Sequence, residues 1–333
     1  MRLRCLIFVF CFLQLIAKAQ YAPQATLPGS TAISASSSLF VGWAAQCTIQ
    51  RGYLDIASPS AGVTSLGDSS NAIGPADGSI VSLGDSGVAV LTFTHPIYNG
   101  TGPDFAVFEN GFPNPANPAQ AFLELAFVEV SSDGINYFRF PANSNTETTT
   151  QVPASGVYMD ASLINNLAGK YIAMYGTPFD LQELSGTAGL DVNNITHVRI
   201  VDVVGSLGAH ASHDIAGHVI NDPYPTNFNG GGFDLDAVGA INQYGTAVHN
   251  LANNITINVF PNPAADKIFI SVNGITPAGL TLAMTTPTGN ILQETQLSLS
   301  ITTLPVAQYP TGIYYIIFSD SNGNKWTEKF VKY

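Results

Sequence analysis

Charge is scarce in this chain, and positive charge is scarcer still. Only 10% of the 333 residues are Asp, Glu, Lys or Arg, and 11 Lys and Arg face 23 Asp and Glu, for a net charge of −12. Such a field repels nucleic acid and anionic membrane surfaces and favours cations, although acidity also serves solubility alone. Cysteine is almost missing. Cys5 and Cys11 fall in an amino-terminal stretch that reads as a removable leader, so a mature chain keeps Cys47 alone and can form no internal disulfide. The surroundings of that thiol, Phe40-Val-Gly-Trp-Ala-Ala-Gln-Cys-Thr-Ile49, hold nothing that would lower its pKa, which predicts a buried, inert side chain. Beyond residue 19, no apolar run reaches the length of a transmembrane helix. Also missing are a G-x-S-x-G elbow, a phosphate loop, a dinucleotide fingerprint and a thiol-protease pattern, so nothing names a catalytic centre.

The leader spans residues 1–19. Arg2 and Arg4 precede the apolar run Leu6 to Ile16, and Ala17-Lys18-Ala19 supplies small residues for cleavage, the pattern of a secretory signal peptide. After it the charge is distributed unevenly. Gln20 to Asn250 carries 19 acidic residues against Arg51, Arg139, Lys170 and Arg199, a balance of −15, whereas from Leu251 onward four acids meet four lysines. Two domains are expected, the first acidic and the second neutral.

With 31 Gly and 20 Pro and few charges, the composition suits many short strands joined by tight turns, and an all-β fold is expected. Val88 to Thr94 alternates as a half-buried strand should, and Pro96 should end it. Phe105 to Glu109 is a short strand running into a proline-rich loop, Asn110 to Pro118. Leu123 to Ser131 and Tyr137 to Phe140 flank Asp133-Gly134, a hairpin signal. Ala161 to Ala168 is the one stretch that reads as a helical turn. Ile195 to Val204 is a strand with Asp202 on its apolar face. Three glycines then release Asn229 to Ile241 into a closing strand bearing Asp234 and Asp236. Ser-Leu-Gly-Asp-Ser occurs twice, ending at Ser69 and Ser86, and two similar strand-turn corners explain it.

Glu109, Asp202, Asp222, Asp234 and Asp236 form the candidate metal set. Asp234 and Asp236 share a strand face, four basic residues cannot neutralise every such cluster, and calcium takes six to eight oxygen ligands, so a calcium ion is the expected cofactor. The competing reading makes these acids caps that bind loop amides. His210, His213 and His218 share a loop with Asp214 but lack the tight spacing of a zinc centre. Paired carboxylates in a secreted β-sandwich also allow a glycosidase. Phe112, Tyr224 and Phe228, on the loops Asn110 to Pro118 and Gly205 to Asn229, are the candidate ligand-binding aromatics, suited to stacking on a sugar or a flat cofactor.

Two resemblances extend this reading. Val128 to Phe138, His197 to Ile200 and Gly232-Phe-Asp-Leu-Asp-Ala-Val238 resemble galactose-binding-like, discoidin-type jelly rolls, which implies an eight-stranded sandwich and glycan capture. Gly102 to Asn110, Tyr175 to Asp180, Val201 to Gly205 and Asp222 to Thr226 look like a family of secreted cell-surface proteins from Bacteroidetes, which suggests an accessory to nutrient uptake through a TonB-dependent outer-membrane receptor, with a corrinoid as the candidate nutrient. Asn258 to Ser271, Thr311 to Tyr315 and Lys329 to Lys332 look like the C-terminal sorting domain of type IX secretion. That resemblance implies a small immunoglobulin-like sandwich recognised by the secretion machinery and removed at the outer membrane. The expected order is a signal peptide over 1–19, an acidic jelly-roll core over 20–245, a linker over 246–257 and a sorting domain over 258–333. The expected function is non-catalytic binding at the cell surface.

Overall fold

The fold is that of a computed structural model, which describes residues 21–244, 256–273, 279–297, 301–320 and 325–333. The leader therefore lies outside the described residues, as does the linker up to residue 255. Thr256 and Ile257, expected in that linker, already belong to the first strand of the second unit. The chain divides into two compact units, breaking between Gln243 and Tyr244.

Unit 1 is a two-sheet antiparallel sandwich. One sheet runs Ile33–Ser34, Tyr175–Phe179, Phe105–Glu109, Asp234–Ala240, Gly42–Trp43, and the other Phe138–Arg139, Ala126–Ser131, Ile195–Asp202, Val88–Ile97, Gln46–Gln50. Eight principal strands, numbered in chain order from Gly42–Trp43 and omitting the edges Ile33–Ser34 and Gln46–Gln50, give 1-8-3-6 in one sheet and 2-7-4-5 in the other. That is the jelly-roll order. Alternation builds the core: Ala89 and Leu91, Val198 and Ile200, Val128 and Val130 point inward from one sheet against Phe105, Val107, Leu235 and Val238 of the other. Cys47 is half-buried against this core, and burial pushes its thiol up to about 12.

Three expectations need correction. Pro96 does not end its strand, which continues to Ile97. Pairing jumps from His197 opposite Thr92 to Ile195 opposite Ile97, and Pro96 sits inside that irregularity, where its missing N–H breaks no ladder. The proline-rich stretch after Asn110 is not a loop but a hairpin, Phe112–Asn114 with Asn117–Phe122; Pro113 is tolerated because its strand is an edge. Residues 161–168 hold a 3-10 turn only at Ala161–Leu163 and then short strands, while comparable turns occur at Pro59–Ala61, Ser69–Ala72 and Leu181–Leu184.

Unit 2 is a smaller sandwich. Thr256–Phe260, Lys267–Asn273 and Ile301–Pro305 form one sheet, and Ile291–Gln296, Thr281–Thr285, Gly312–Ser319 and Lys325–Lys332 the other. Ile268, Ile270 and Leu304 pack against Leu282, Met284, Ile316, Phe318 and Phe330, a core separate from that of unit 1.

Candidate functional site

The five predicted metal ligands are all buried, yet they do not form one site. The strand pairing slips between Leu235 and Ala237, and the two aspartates there serve different loops. Asp234 accepts from the Ser82 hydroxyl and from the Asn110 amide at 3.0 Å. Asp236 accepts the backbone N–H groups of Asp77 and Gly78, both at 3.2 Å. Asp202 accepts from Phe233 N at 2.7 Å and Ser86 N at 3.0 Å, and Gly232 lets the chain pass this close: at φ +72, a Cβ there would stand 2.7 Å from Asp202 Oδ1. Glu109 and Asp222 each keep one oxygen occupied, by Gly111 N at 2.8 Å and Leu125 N at 3.1 Å. Glu109 Oε1 and Asp222 Oδ1 have no hydrogen-bond partner. Among the described residues, no three His, Cys, Asp or Glu side chains converge so as to hold a metal ion. The calcium ligand set expected from the sequence does not fit this geometry, and four of its five members, Glu109, Asp202, Asp222 and Asp236, accept backbone amides as the competing reading expects.

Burial, not mutual contact, dominates the electrostatics of these acids. It pushes Asp234 and Asp236 up to about 6 and raises Glu109, Asp202 and Asp222 well above the usual carboxylate range, with neighbouring carboxylates adding to the shift in those three. Two members were missed in the sequence. Glu124 is buried and raised well above its usual value by burial and then by Asp234, Glu109, Asp222 and Asp202. Asp85, bound by Ile56 N at 2.8 Å, is pushed up to about 6. Glu124 stands between Leu123 and Leu125, and a lone carboxylate between two leucines was the available signal. The unit's cations are engaged elsewhere. Arg139 and Arg199 pair with Glu129, Arg51 donates to the carbonyls of Leu66, Gly67 and Ser82, and Lys170 donates to Ile164 O at 2.7 Å.

The predicted aromatics separate. Phe112 is half-exposed, stacked on Phe122 at 4.9 Å between centroids and edge-on to Tyr158 at 6.3 Å. Phe228 is exposed at a turn. Tyr224 is half-buried and donates its hydroxyl to Asp55 at 3.1 Å, so that oxygen is already engaged. His218 lies 3.3 Å from Asp214, while His213 joins a backbone bridge to Val219.

A better-formed feature is built on the first of the two stretches expected to bind. The strands Phe112–Asn114, Asn117–Phe122 and Met159–Asp160 make a small sheet, with Asp160 opposite Gln120 and Met159 opposite Ala121. Ala121 and Met159 face inward into a buried cluster. The alternate positions Gln120, Phe122 and Asp160, with Phe112 opposite Phe122, belong to the other face. A groove of about 210 Å³ adjoins this sheet, lined by Gln120, Tyr158 and Asp160 together with Met159, Leu163 and Val152 of the buried cluster, and by Glu147 and Asn221. A second hollow of about 320 Å³ shares Thr146 with it and is bounded by Ser144, Asn145, His218 and Val219. The wall is rigid. Asn221 donates to the carbonyls of Glu147 and Thr150 and accepts from Val152 N, and Gln151 reaches Gly205 O and Asp222 O.

In unit 2, the first and last segments are joined. Ala264 is bridged in parallel to Lys332, and the turn Pro261–Ala264 meets the terminal strand through several hydrogen bonds. Residues 258–333 match the family described as the secretion system C-terminal sorting domain. The tail is a type IX sorting domain. The protein is accordingly exported by type IX secretion to the cell surface or the extracellular space, and its tail interacts with that machinery. No helix among the described residues is long and apolar enough to cross a membrane.

No curated protein matches the chain. Among solved structures, it is similar to an immunoglobulin-like DUF3244 protein from Bacteroides vulgatus, at 19% identity over 24% of this chain and 87% of that one, with a TM-score of 0.21. It is also similar to PorZ, a surface component of the type IX secretion system of Porphyromonas gingivalis, at 13% identity over 78% of this chain and 46% of that one, with a TM-score of 0.22. A β-1,2-glucanase from Parabacteroides distasonis shows 11% identity over 89% and 38%, with a TM-score of 0.25. The chain thus spans less than half the length of the two larger structures, and TM-scores this low establish no shared fold for the whole chain.

Proposed function

We propose that this is a surface-delivered, non-catalytic binding protein whose ligand is a carbohydrate. The observation that carries the reading is the outer face of the small sheet, where Phe112, Phe122 and Tyr158 adjoin Gln120 and Asp160 beside a groove of about 210 Å³. A pyranose ring presents an apolar C–H face that packs on aromatic rings and an equatorial rim of hydroxyls that bond to amides and carboxylates. This face offers both, within one ordered sheet. Burial of Ala121 and Met159 beneath it holds the arrangement without help from the ligand.

The two carboxylates bordering the groove support binding over hydrolysis. Glu147 accepts from the Thr149 hydroxyl and from the amides of Thr149 and Thr150, and these bonds hold it below the usual range. Asp160 caps the turn Ala161–Leu163 through Ser162 N at 2.9 Å. A general acid needs a raised pKa, which disfavours Glu147 for that role, and Asp160 is committed to its cap.

The test is a glycan array probed with the purified full chain, followed by titration of the best hit. Tyr158→Ala and Phe112→Ala should each weaken binding about tenfold or more, the loss of roughly 1.4 kcal/mol or above, with melting temperature changed by only a few degrees. Full affinity in both variants, or turnover of the bound glycan, would end the proposal.

A further inference from the structure

We propose, resting on the carbohydrate reading of the groove, that the ligand is a linear, non-acidic oligosaccharide of at least two residues, which fills the groove and the neighbouring hollow together. Volume is the first reason. The groove holds about 210 Å³, less than the roughly 300 Å³ at which ordinary small-ligand pockets begin, and the hollow adds about 320 Å³ directly beside it. The same two segments wall both. Of residues 144–148, Ser144 and Thr148 line the hollow, Glu147 the groove and Thr146 both; of residues 218–221, His218 and Val219 line the hollow and Asn221 the groove. The second segment is extended, with Val219 bridged to His213 and Ile220 N donating to Ser212 O. Three residues at strand rise span about 10 Å, so a ligand held at both ends exceeds a single pyranose ring.

The two compartments suit different parts of a sugar chain. The groove end supplies rings, Tyr158 with Phe112 edge-on to it, for a C–H face. The hollow has no aromatic among its lining residues and presents the hydroxyls of Ser144, Thr146 and Thr148 with the imidazole of His218. That imidazole is held. The His218 N–H donates to Asp214 Oδ1 at 2.8 Å, and Nδ1 lies 3.3 Å from Asp214 Oδ2. Against the opposing effect of burial, the amides of Ser144, His218 and Ala216 hold the Asp214 carboxyl below its usual range. An ionised carboxylate only accepts, so Nδ1 donates, and Nε2 of the neutral ring is the acceptor left for a sugar hydroxyl. The bed beneath is ordered from both sides: Ser144 pairs with Ile164 and donates its N–H to Asp214 Oδ2 at 3.0 Å, while Thr146 Oγ1 shares a 2.7 Å hydrogen bond with Ser144 Oγ and accepts from Asn221 N at 3.4 Å. Acidic chains are turned away. Glu147 stays ionised at the groove, Asp160 borders it too, and no lysine or arginine among the described residues lines either compartment.

The experiment titrates the purified full chain with the best glycan-array hit as a length series from monosaccharide to tetrasaccharide, the monosaccharide being followed by ligand-observed NMR. Affinity should rise about tenfold or more between one residue and three and then level off, and uronate or sulfated analogues should bind at least about tenfold more weakly. Tyr158→Ala should weaken every length. His218→Ala should weaken the trisaccharide about fivefold or more and leave the monosaccharide unchanged, because a single ring at the groove never reaches the hollow. Thr148→Ala, at an exposed position, should act in the same direction, and it is judged alone if the histidine variant lowers the melting temperature. Equal affinity at every length, an equal loss at every length in the hollow variants, or preference for an acidic chain would overturn the two-compartment assignment and leave the carbohydrate reading standing. Binding of no glycan at any length would end both.

Discussion

Buried carboxylates dominate the acidic unit at the scale of single residues, and they make its stability depend on pH in an unusual direction. An unfolded Asp titrates near ~4, whereas burial pushes Asp85, Asp234 and Asp236 in the folded unit up to about 6. A group whose folded pKa is raised contributes stability that is complete below the unfolded value and is lost as pH rises through the folded one. Melting of the sandwich should therefore be several degrees higher at pH 5 than at pH 7.5, and Asp234→Asn should remove part of that slope. A melting temperature flat across this range would contradict the assignment. Calcium and chelator should leave melting unchanged, since no ligand set converges; a rise with calcium would mean that Glu109 Oε1 and Asp222 Oδ1 hold an ion after all. Sequence reasoning found Asp202 on an apolar face because alternation along its strand is regular. It could not find the partners of that carboxylate, Ser86 N and Phe233 N, because nothing local in the sequence reports which loops cross a sheet end.

At the scale of elements, the hairpin Phe112–Phe122 shows why a proline-rich segment was misread. Proline forbids a central strand but not an edge, and only the tertiary arrangement shows that Phe112–Asn114 is an edge. The sequence singles out Phe112, whereas Phe122 and Tyr158 come to adjoin it only through the pairing that assembles them. The groove wall depends on a single buried amide. Asn221→Ala strips hydrogen bonds from Glu147 O, Thr150 O and Val152 N at once, and leaving such groups unsatisfied costs about 3 kcal/mol or more in total. The expected result is a sandwich whose loop over residues 147–152 becomes protease-sensitive and whose glycan affinity falls, although Asn221 contributes no free polar group to a ligand. Resistance to limited proteolysis equal to wild type would show that the loop holds itself.

At the scale of the whole molecule, the two units carry separate cores, and the break between them follows the change in charge that the sequence displays. The tail was legible because each of its landmarks is a contiguous run, whereas the bonds from Asn262 to the last strand were not, because they join residues 69 and 67 positions apart. Deleting residues 258–333 should leave the sandwich folded, with its melting temperature within a few degrees, but retained inside the cell envelope. Surface delivery of the truncated chain, measured by fractionation, would show that routing information lies outside the tail.

The position of Asp234–Ala240 imposes a timetable on the molecule. This strand comes last in unit 1 yet lies inside its sheet, between Phe105–Glu109 and Gly42–Trp43. A chain emerging amino end first cannot seal its first sheet until residue 240 has cleared whatever it is passing through, because the slot in the middle stays vacant and long-range pairing waits for its partner. Until then the first sheet lacks the strand that joins Phe105–Glu109 to Gly42–Trp43. Closure and the appearance of the sorting tail are thus nearly simultaneous, so the destination label is added just as the cargo becomes a finished object.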